Sequence, residues 1–202
     1  MFLKSPPELI LASTSAYRRA LLARVSASFR CVPPDIEETP HRGESARAMV
    51  GRLSLAKARV VAERHPDACV IGSDQAALLL DAHQREHILG KPGTRDRCIE
   101  QLKSCSGNTV AYLTGVAVVC RSAGVELEFM DTTRVTFRPL DDSTIERYVE
   151  RESPLDCAGG FKSEGLGISL CTSIDSDDPS ALIGLPLIRL CEALRRVGFD
   201  VP

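Results

Sequence analysis

The sequence predicts an α/β fold built on a mixed β-sheet, and three observations lead there. Strand-like and helix-like patterns alternate through the first half of the chain. Two long β-like runs, "NTVAYLTGVAVVC" and "VELEFMDTTRVTFRPL", follow one another with a turn near Ser122 to Gly124 and read as an antiparallel pair. Helical patterns then return and close the chain. With 202 residues, 44% of them hydrophobic, the polypeptide can bury the core of one domain or of two lobes sharing an interior.

The elements follow in order. Leu9 to Ala12 is an apolar run of strand length. Ser15 is placed to cap a helix reaching about Val25. "ASFRCVP" is a short strand stopped by Pro33 and Pro34, and "DIEETPHRGE" is an acidic loop. From Ser45 to about Arg64, Ala46, Met49, Val50, Leu53, Val60 and Val61 recur at helical spacing. "ACVIGSD" is a strand that ends on Asp74, with "ALLL" available to extend the sheet. "HILGKPGT" reads as a turn, and Thr94 can cap a helix to about Cys105. After the hairpin, "DDSTIERYVERES" is a capped helix. The glycine-rich "DCAGGFKSEGLGISL" is irregular, and a closing helix begins or breaks near Pro186.

Composition narrows the function. The net charge of -2 excludes a polyanion-binding surface over the whole molecule, so a basic site has to be local. Aromatics make up 4% and tryptophan is absent, which argues against stacking platforms for nucleic acid polymers. The eight cysteines are scattered and form no CxxC pair, so they read as reduced thiols filling a core. The N-terminal "MFLKSPPELI" lacks a signal-peptide pattern, and "VAYLTGVAVVC" is too short to span a bilayer. A cytoplasmic protein with no membrane partner is expected.

Several residues carry chemistry. In "LILASTSAYRRALL" a strand hands over to a helix. Backbone N–H groups are unpaired at such a junction, and Ser13, Ser15, Arg18 and Arg19 add donors and charge suited to phosphate oxygens. The alternative is a solvated helix face. Lys57 lies four residues after Leu53, seven after Val50 and three before Val60. It therefore points along the apolar stripe and needs either a partner or a route to the stripe's edge. Asp74, at the carboxyl end of its strand, is placed either to face a ligand or to cap a turn. Lys91 sits in a tight turn. Glu37 and Glu38 belong to the acidic loop. Lys162 and Glu164 are embedded among glycines, as in a loop that closes over a ligand or in a plain connection. Basic groups from separate segments together with two acidic segments suit a polyphosphate with a hard divalent cation.

"LASTSAYRRALL", "EETP", "RLSLAKA", "IGSDQ", "GKP", "YVERESPLDCAGGFKSEGLGI" and "LIGLPLIRLCEAL" occur in an order that resembles the Maf family of nucleoside triphosphate pyrophosphatases, most closely its 7-methyl-GTP branch. The resemblance covers nearly the whole chain. It implies a single Maf-like domain over residues 1–202, with the elongated Maf/ITPase-like α/β fold and a deep cleft between two lobes. It implies a nucleotide substrate cut to monophosphate and diphosphate, a magnesium or manganese ion, and a homodimer. Asp74 matches the family's proton acceptor. Ser13, Arg18, Arg19, Lys57, Lys91 and Lys162 match substrate-binding positions. Glu38 and Asp74 match metal ligands, and Tyr17, Gln75 and Glu164 match selectivity positions. Three residues depart from the pattern: Ala16 for proline, Glu37 for aspartate and Gly160 for serine. Two rivals stand beside this reading. One is the sister dTTP/UTP pyrophosphatase, in which arginine and threonine usually replace Tyr17 and Gln75. The other is a non-hydrolysing nucleotide-binding regulator linked to cell division.

Overall fold

A computed structural model describes residues 6–80 and 85–202, so the first five residues, screened above for a leader, lie outside the described chain. Among the described residues seven strands form one mixed sheet: β1 (Leu9–Ala12), β2 (Arg30–Cys31), β3 (Cys69–Leu80), β4 (Glu86–Leu89), β5 (Thr109–Cys120), β6 (Val125–Phe137) and β7 (Cys171–Asp175). Their order is β2-β1-β3-β5-β6-β7, with β4 also paired to β3. The helices are α1 (Ala16–Leu22), α2 (Ala46–Arg64), α3 (Arg95–Cys105), α4 (Asp142–Glu152) and α5 (Leu187–Val197). The predicted mixed α/β class is therefore the observed one. No helix among the described residues is long and apolar enough to cross a membrane.

The chain forms two compact units. The first comprises residues 1–74, 114–131 and 178–202, and the second comprises 75–113 and 132–177. In the first unit β1 runs parallel to both β2 and β3, with Ala12 opposite Gly72. Side chains alternate across a strand, and here both faces are covered. Leu9, Leu11, Cys69 and Ile71 pack with Leu22 of α1 and with Leu190 and Leu194 of α5. Ile10, Ala12 and Val70 pack on the other face with Ala58, Val61 and Ala62 of α2. Burial on both faces is why "LILA" and "CVI" read as unbroken apolar runs.

The packing of α2 on the sheet depends on a missing side chain. A Cβ added at Gly72 would lie 2.2 Å from the Ser54 carbonyl oxygen and 2.6 Å from the Ala58 nitrogen. Only glycine lets the helix backbone approach β3 this closely.

In the second unit, Phe161 packs edge-on against Phe137 at a centroid distance of 5.1 Å and tilted against Tyr112 at 5.9 Å. Helices α3 and α4 pack on one another. Asp141 accepts a hydrogen bond from the Thr144 nitrogen at 2.7 Å and caps α4.

Three local expectations differ from the structure. "HIL", read as part of a turn, belongs to β4, which pairs antiparallel with β3 from Ala77 to Leu80. β4 is four residues long and exposed except at Leu89, which leaves little signal to separate strand from turn. Helix α1 ends at Leu22 rather than near Val25. β7 was not foreseen, because "CTSID" is largely exposed and carries no apolar alternation.

Candidate active site

Asp74 is not at the end of its strand, as the sequence reading had it. β3 continues to Leu80. What ends is its partner: β1 stops at Ala12, opposite Gly72, so Ser13 and Asp74 lie just past the carboxyl edge of the parallel pair. Alternation then sends neighbouring side chains of β3 to different places. Val70, Gly72 and Asp74 face α2, whereas Ser73 faces the loop before α5.

The charge cluster is built on that α2 face. Lys57 Nζ lies 2.7 Å from Asp74 Oδ1 and 2.8 Å from Glu38 Oε1. The Lys57 and Asp74 side chains are only 6% and 10% exposed, whereas that of Glu38 is 56% exposed. A buried ammonium is tolerated when carboxylates offset its lost hydration, and here two do so. The inward lysine expected from helical spacing is thus buried and paired.

Helix α2 also holds the loop that carries Glu38. Arg52 grips Glu44 with two hydrogen bonds of 2.6 Å and donates to the Thr39 carbonyl at 3.3 Å. Arg64 donates to the carbonyls of Pro33 and Pro34 at 3.0 and 3.2 Å. The bond to Arg52 and a second from the His41 nitrogen hold the Glu44 carboxyl at about 2, well below its ordinary value.

Ser15 accepts from the Arg18 nitrogen at 3.3 Å and caps α1, while Ser13 Oγ accepts from the Ser15 nitrogen at 3.1 Å. Arg18 and Arg19, neighbours in sequence, go different ways, because successive helical residues are about 100° apart. Arg18 Nε donates to the Gly184 carbonyl at 3.1 Å. Burial lowers the Arg18 pKa, while the negative charges of Asp74 and Glu38 oppose that shift. Arg19 is exposed and, with Ser13, Thr14, Ser15 and Cys31, lines a hollow of about 420 Å³. The first unit therefore brings together Arg18, Glu38, Lys57 and Asp74, with Ser13 and Arg19 at the adjoining strand–helix junction.

Sequence reasoning missed Ser73 and Gly184. Ser73 Oγ donates to the same Gly184 carbonyl at 3.0 Å. That carbonyl belongs to a braced loop: buried Asp178 accepts from the nitrogens of Ser180 and Ile188 at 2.9 and 2.7 Å, and Thr114 Oγ1 donates to the Ala181 carbonyl at 2.9 Å. The only available sequence signal was the alternation of β3, which turns Ser73 away from Asp74.

The other predicted residues are distributed as follows. Tyr17 is half-buried on α1 in the first unit. In the second unit, Gln75 is half-buried in β3, while Lys91 and Glu164 are exposed. Lys162 Nζ lies 2.8 Å from Glu152, which also accepts from the Leu166 nitrogen at 2.7 Å. Tyr148 Oη donates to the Gly160 carbonyl at 3.1 Å and accepts from the Lys162 nitrogen at 3.0 Å. The glycine-rich loop is thus tied to α4 at several points.

A family model described as "Maf-like protein" matches residues 8–197. The chain belongs to the Maf-like family. Proteins of that family named 7-methyl-GTP pyrophosphatase are close to it in sequence. One from Alkalilimnicola ehrlichii is 53% identical over 96% of this chain and 96% of its own. Another, from a Polaromonas species, is 52% identical over 94% of this chain and 84% of its own. The Pseudomonas aeruginosa protein is 49% identical over 97% of this chain and 100% of its own. Among solved structures, that of the Staphylococcus aureus Ham1 protein gives a TM-score of 0.42 at 12% identity over 64% of this chain and 71% of that one, too slight a likeness to bear on the argument.

Gly160 has φ of +62°, and a Cβ there would lie 2.5 Å from Cys98 Sγ, so any side chain at this position would require that contact to shift. Among the described residues no three His, Cys, Asp or Glu side chains converge as a metal cage. Asp74 and Glu38, which already share one cation in Lys57, suit a hard ion that takes one or two carboxylates and fills its remaining positions with water and phosphate oxygens.

Proposed function

We propose that this protein is a nucleoside triphosphate pyrophosphatase that hydrolyses 7-methyl-GTP to 7-methyl-GMP and diphosphate in the cytoplasm. The observation that carries the reading is the position of Lys57 Nζ, 2.7 Å from Asp74 and 2.8 Å from Glu38, on a scaffold shared with relatives that bear that name. Asp74 orients the attacking water and accepts its proton as the bond to the α-phosphorus forms. The α–β anhydride bond breaks, and the electron pair leaves on diphosphate. Arg18, Arg19, Lys57, Lys91 and Lys162 offset the charge of the phosphates, and Ser13 donates a hydrogen bond to them. A magnesium or manganese ion held by Asp74 and Glu38 would supply further charge neutralisation and acidify water.

Selectivity belongs to Tyr17, Gln75 and Glu164. The cationic, electron-poor 7-methylguanine ring favours stacking on an aromatic such as Tyr17. The Glu164 carboxylate accepts from the guanine N1 and N2 donors. The assignments of Gln75, Lys91, Lys162 and Glu164, and of a homodimer, rest on the family resemblance.

The test is a substrate panel of 7-methyl-GTP, GTP, UTP and dTTP with magnesium or manganese, with products separated by ion exchange. 7-Methyl-GMP plus diphosphate, formed fastest from 7-methyl-GTP, is expected. Equal rates on the pyrimidine triphosphates would move the chain to the sister specificity. A nucleoside diphosphate product would mean that a different bond is cut. Binding without turnover would make the protein a nucleotide sensor.

A further inference from the structure

Arg18 and Ser73 meet on one atom. Arg18 Nε donates to the Gly184 carbonyl oxygen at 3.1 Å, and Ser73 Oγ donates to the same oxygen at 3.0 Å. Ser73 is fully buried and adjoins Asp74 in β3. The carbonyl itself is held still by the loop bonds of Asp178, Ser180 and Thr114. Gly184 has φ of +130°, and a Cβ there would come 3.3 Å from Arg18 Cγ and 3.4 Å from Nε. The residue therefore presents its carbonyl in a conformation that side chains rarely adopt and leaves the space that the arginine occupies.

We infer that the Gly184 carbonyl, gripped by Ser73, is the post that aims the Arg18 guanidinium at the diphosphate portion of the substrate. Ser73 and Gly184 are positioning residues that act through Arg18. The guanidinium is planar in any case, and a bond at Nε fixes the direction of that plane and leaves the two terminal nitrogens for a forked grip on phosphate oxygens. An arginine free to rotate would lose that orientation and the affinity that comes with it. Ser73 also ties the aim of the arginine to the strand that carries Asp74, so the phosphate-binding and proton-accepting groups share one support. The inference rests on the proposed pyrophosphatase reading, in which Arg18 contacts phosphate.

Calorimetric titration with inorganic diphosphate and magnesium tests it, using wild type, Ser73→Ala, Arg18→Lys and the double variant. Lysine keeps the charge but lacks both Nε and the fork. Ser73→Ala is expected to weaken diphosphate binding by about three- to tenfold, the value of one hydrogen bond. In the Arg18→Lys background the same serine change is expected to have no further effect, because the group it aims is gone. Gly184→Ala, which crowds Arg18 directly, is expected to weaken diphosphate binding at least as much as Ser73→Ala. Thermal unfolding of each variant supplies the control, since a merely structural serine would lower stability equally in both backgrounds without coupling to Arg18 in affinity. Independent, multiplicative losses for Ser73→Ala and Arg18→Lys would overturn the inference while leaving the pyrophosphatase reading in place. An unchanged affinity in Arg18→Lys would overturn the inference by showing that the arginine fork is not used, whereas the pyrophosphatase reading falls only if the substrate panel shows no monophosphate and diphosphate.

Discussion

The two units use buried charge differently. In the first, ions are paired with ions from distant segments: Lys57 of α2 meets Asp74 of β3 and Glu38 of the acidic loop. In the second, charge is spent on backbone. Glu152 holds Lys162 but also the Leu166 nitrogen, so one carboxylate ties the glycine-rich loop to α4. The first arrangement leaves charged groups whose partners a phosphate or a cation can replace. The second leaves a braced loop. The contrast separates a cluster in which ions face ions from a carboxylate that braces a loop.

The largest expected effect tests the first half of that contrast. Asp74→Asn keeps the shape of the side chain, and Lys57 retains Glu38, so the variant is expected to fold. Its turnover number is expected to fall by about 10²- to 10⁴-fold for loss of the proton acceptor. Steady-state kinetics and circular dichroism read the two outcomes, and near-wild-type turnover would remove Asp74 from the chemistry.

Gly72→Ala comes next. The added methyl must displace the backbone of α2 from β3, at about 1–3 kcal/mol, and carry Lys57 away from Asp74. Stability in urea and turnover should therefore fall together. Gly51→Ala, in the same helix but with nothing within 4 Å of the new Cβ, should instead stabilise by up to about 1 kcal/mol.

Glu152→Ala probes the second unit. It leaves the Leu166 nitrogen and Lys162 without the carboxylate, and is expected to cost about 1–3 kcal/mol of stability with a smaller loss of turnover than Asp74→Asn. Turnover lost at unchanged stability would erase the distinction between the units.

The smallest effect concerns pH. The bonds from Arg52 and the His41 nitrogen favour the charged form of Glu44 and hold its carboxyl at about 2, below its ordinary value of 4.5. A depressed carboxylate stabilises the fold above its unfolded pKa and loses that contribution as pH falls through the folded one. The stability difference between wild type and Glu44→Gln should therefore be constant above about pH 5 and shrink between pH 4.5 and 2. A difference that does not narrow in acid would mean that the Arg52 clamp is absent in solution.

Much of the scaffold was legible in advance. Apolar runs marked β1 and β3, hydroxyl caps marked the starts of α1 and α3, and helical spacing marked α2 and turned Lys57 inward. β7 escaped because exposed strands carry no hydrophobic period, and β4 because four residues are too few to show one. At the site, residue types pointed to Asp74, Lys57 and Arg18, but nothing marked Ser73 or Gly184. A serine in a strand and a glycine in a loop have many uses, and theirs appears only when residues 111 positions apart are brought together.

The sequence by itself determined the α/β class, the inward lysine and the set of charged residues from which the site is drawn, because these follow from periodicity, capping and the cost of burying charge. Only the tertiary structure decided that Asp74 meets Lys57 in mid-strand where β1 has ended, that Arg18 and Arg19 part company, and that one loop carbonyl receives both Arg18 and Ser73. Those are facts of distance between remote segments. They are set by how closely α2 and the loop before α5 can approach the sheet, a matter of packing that local patterns do not encode.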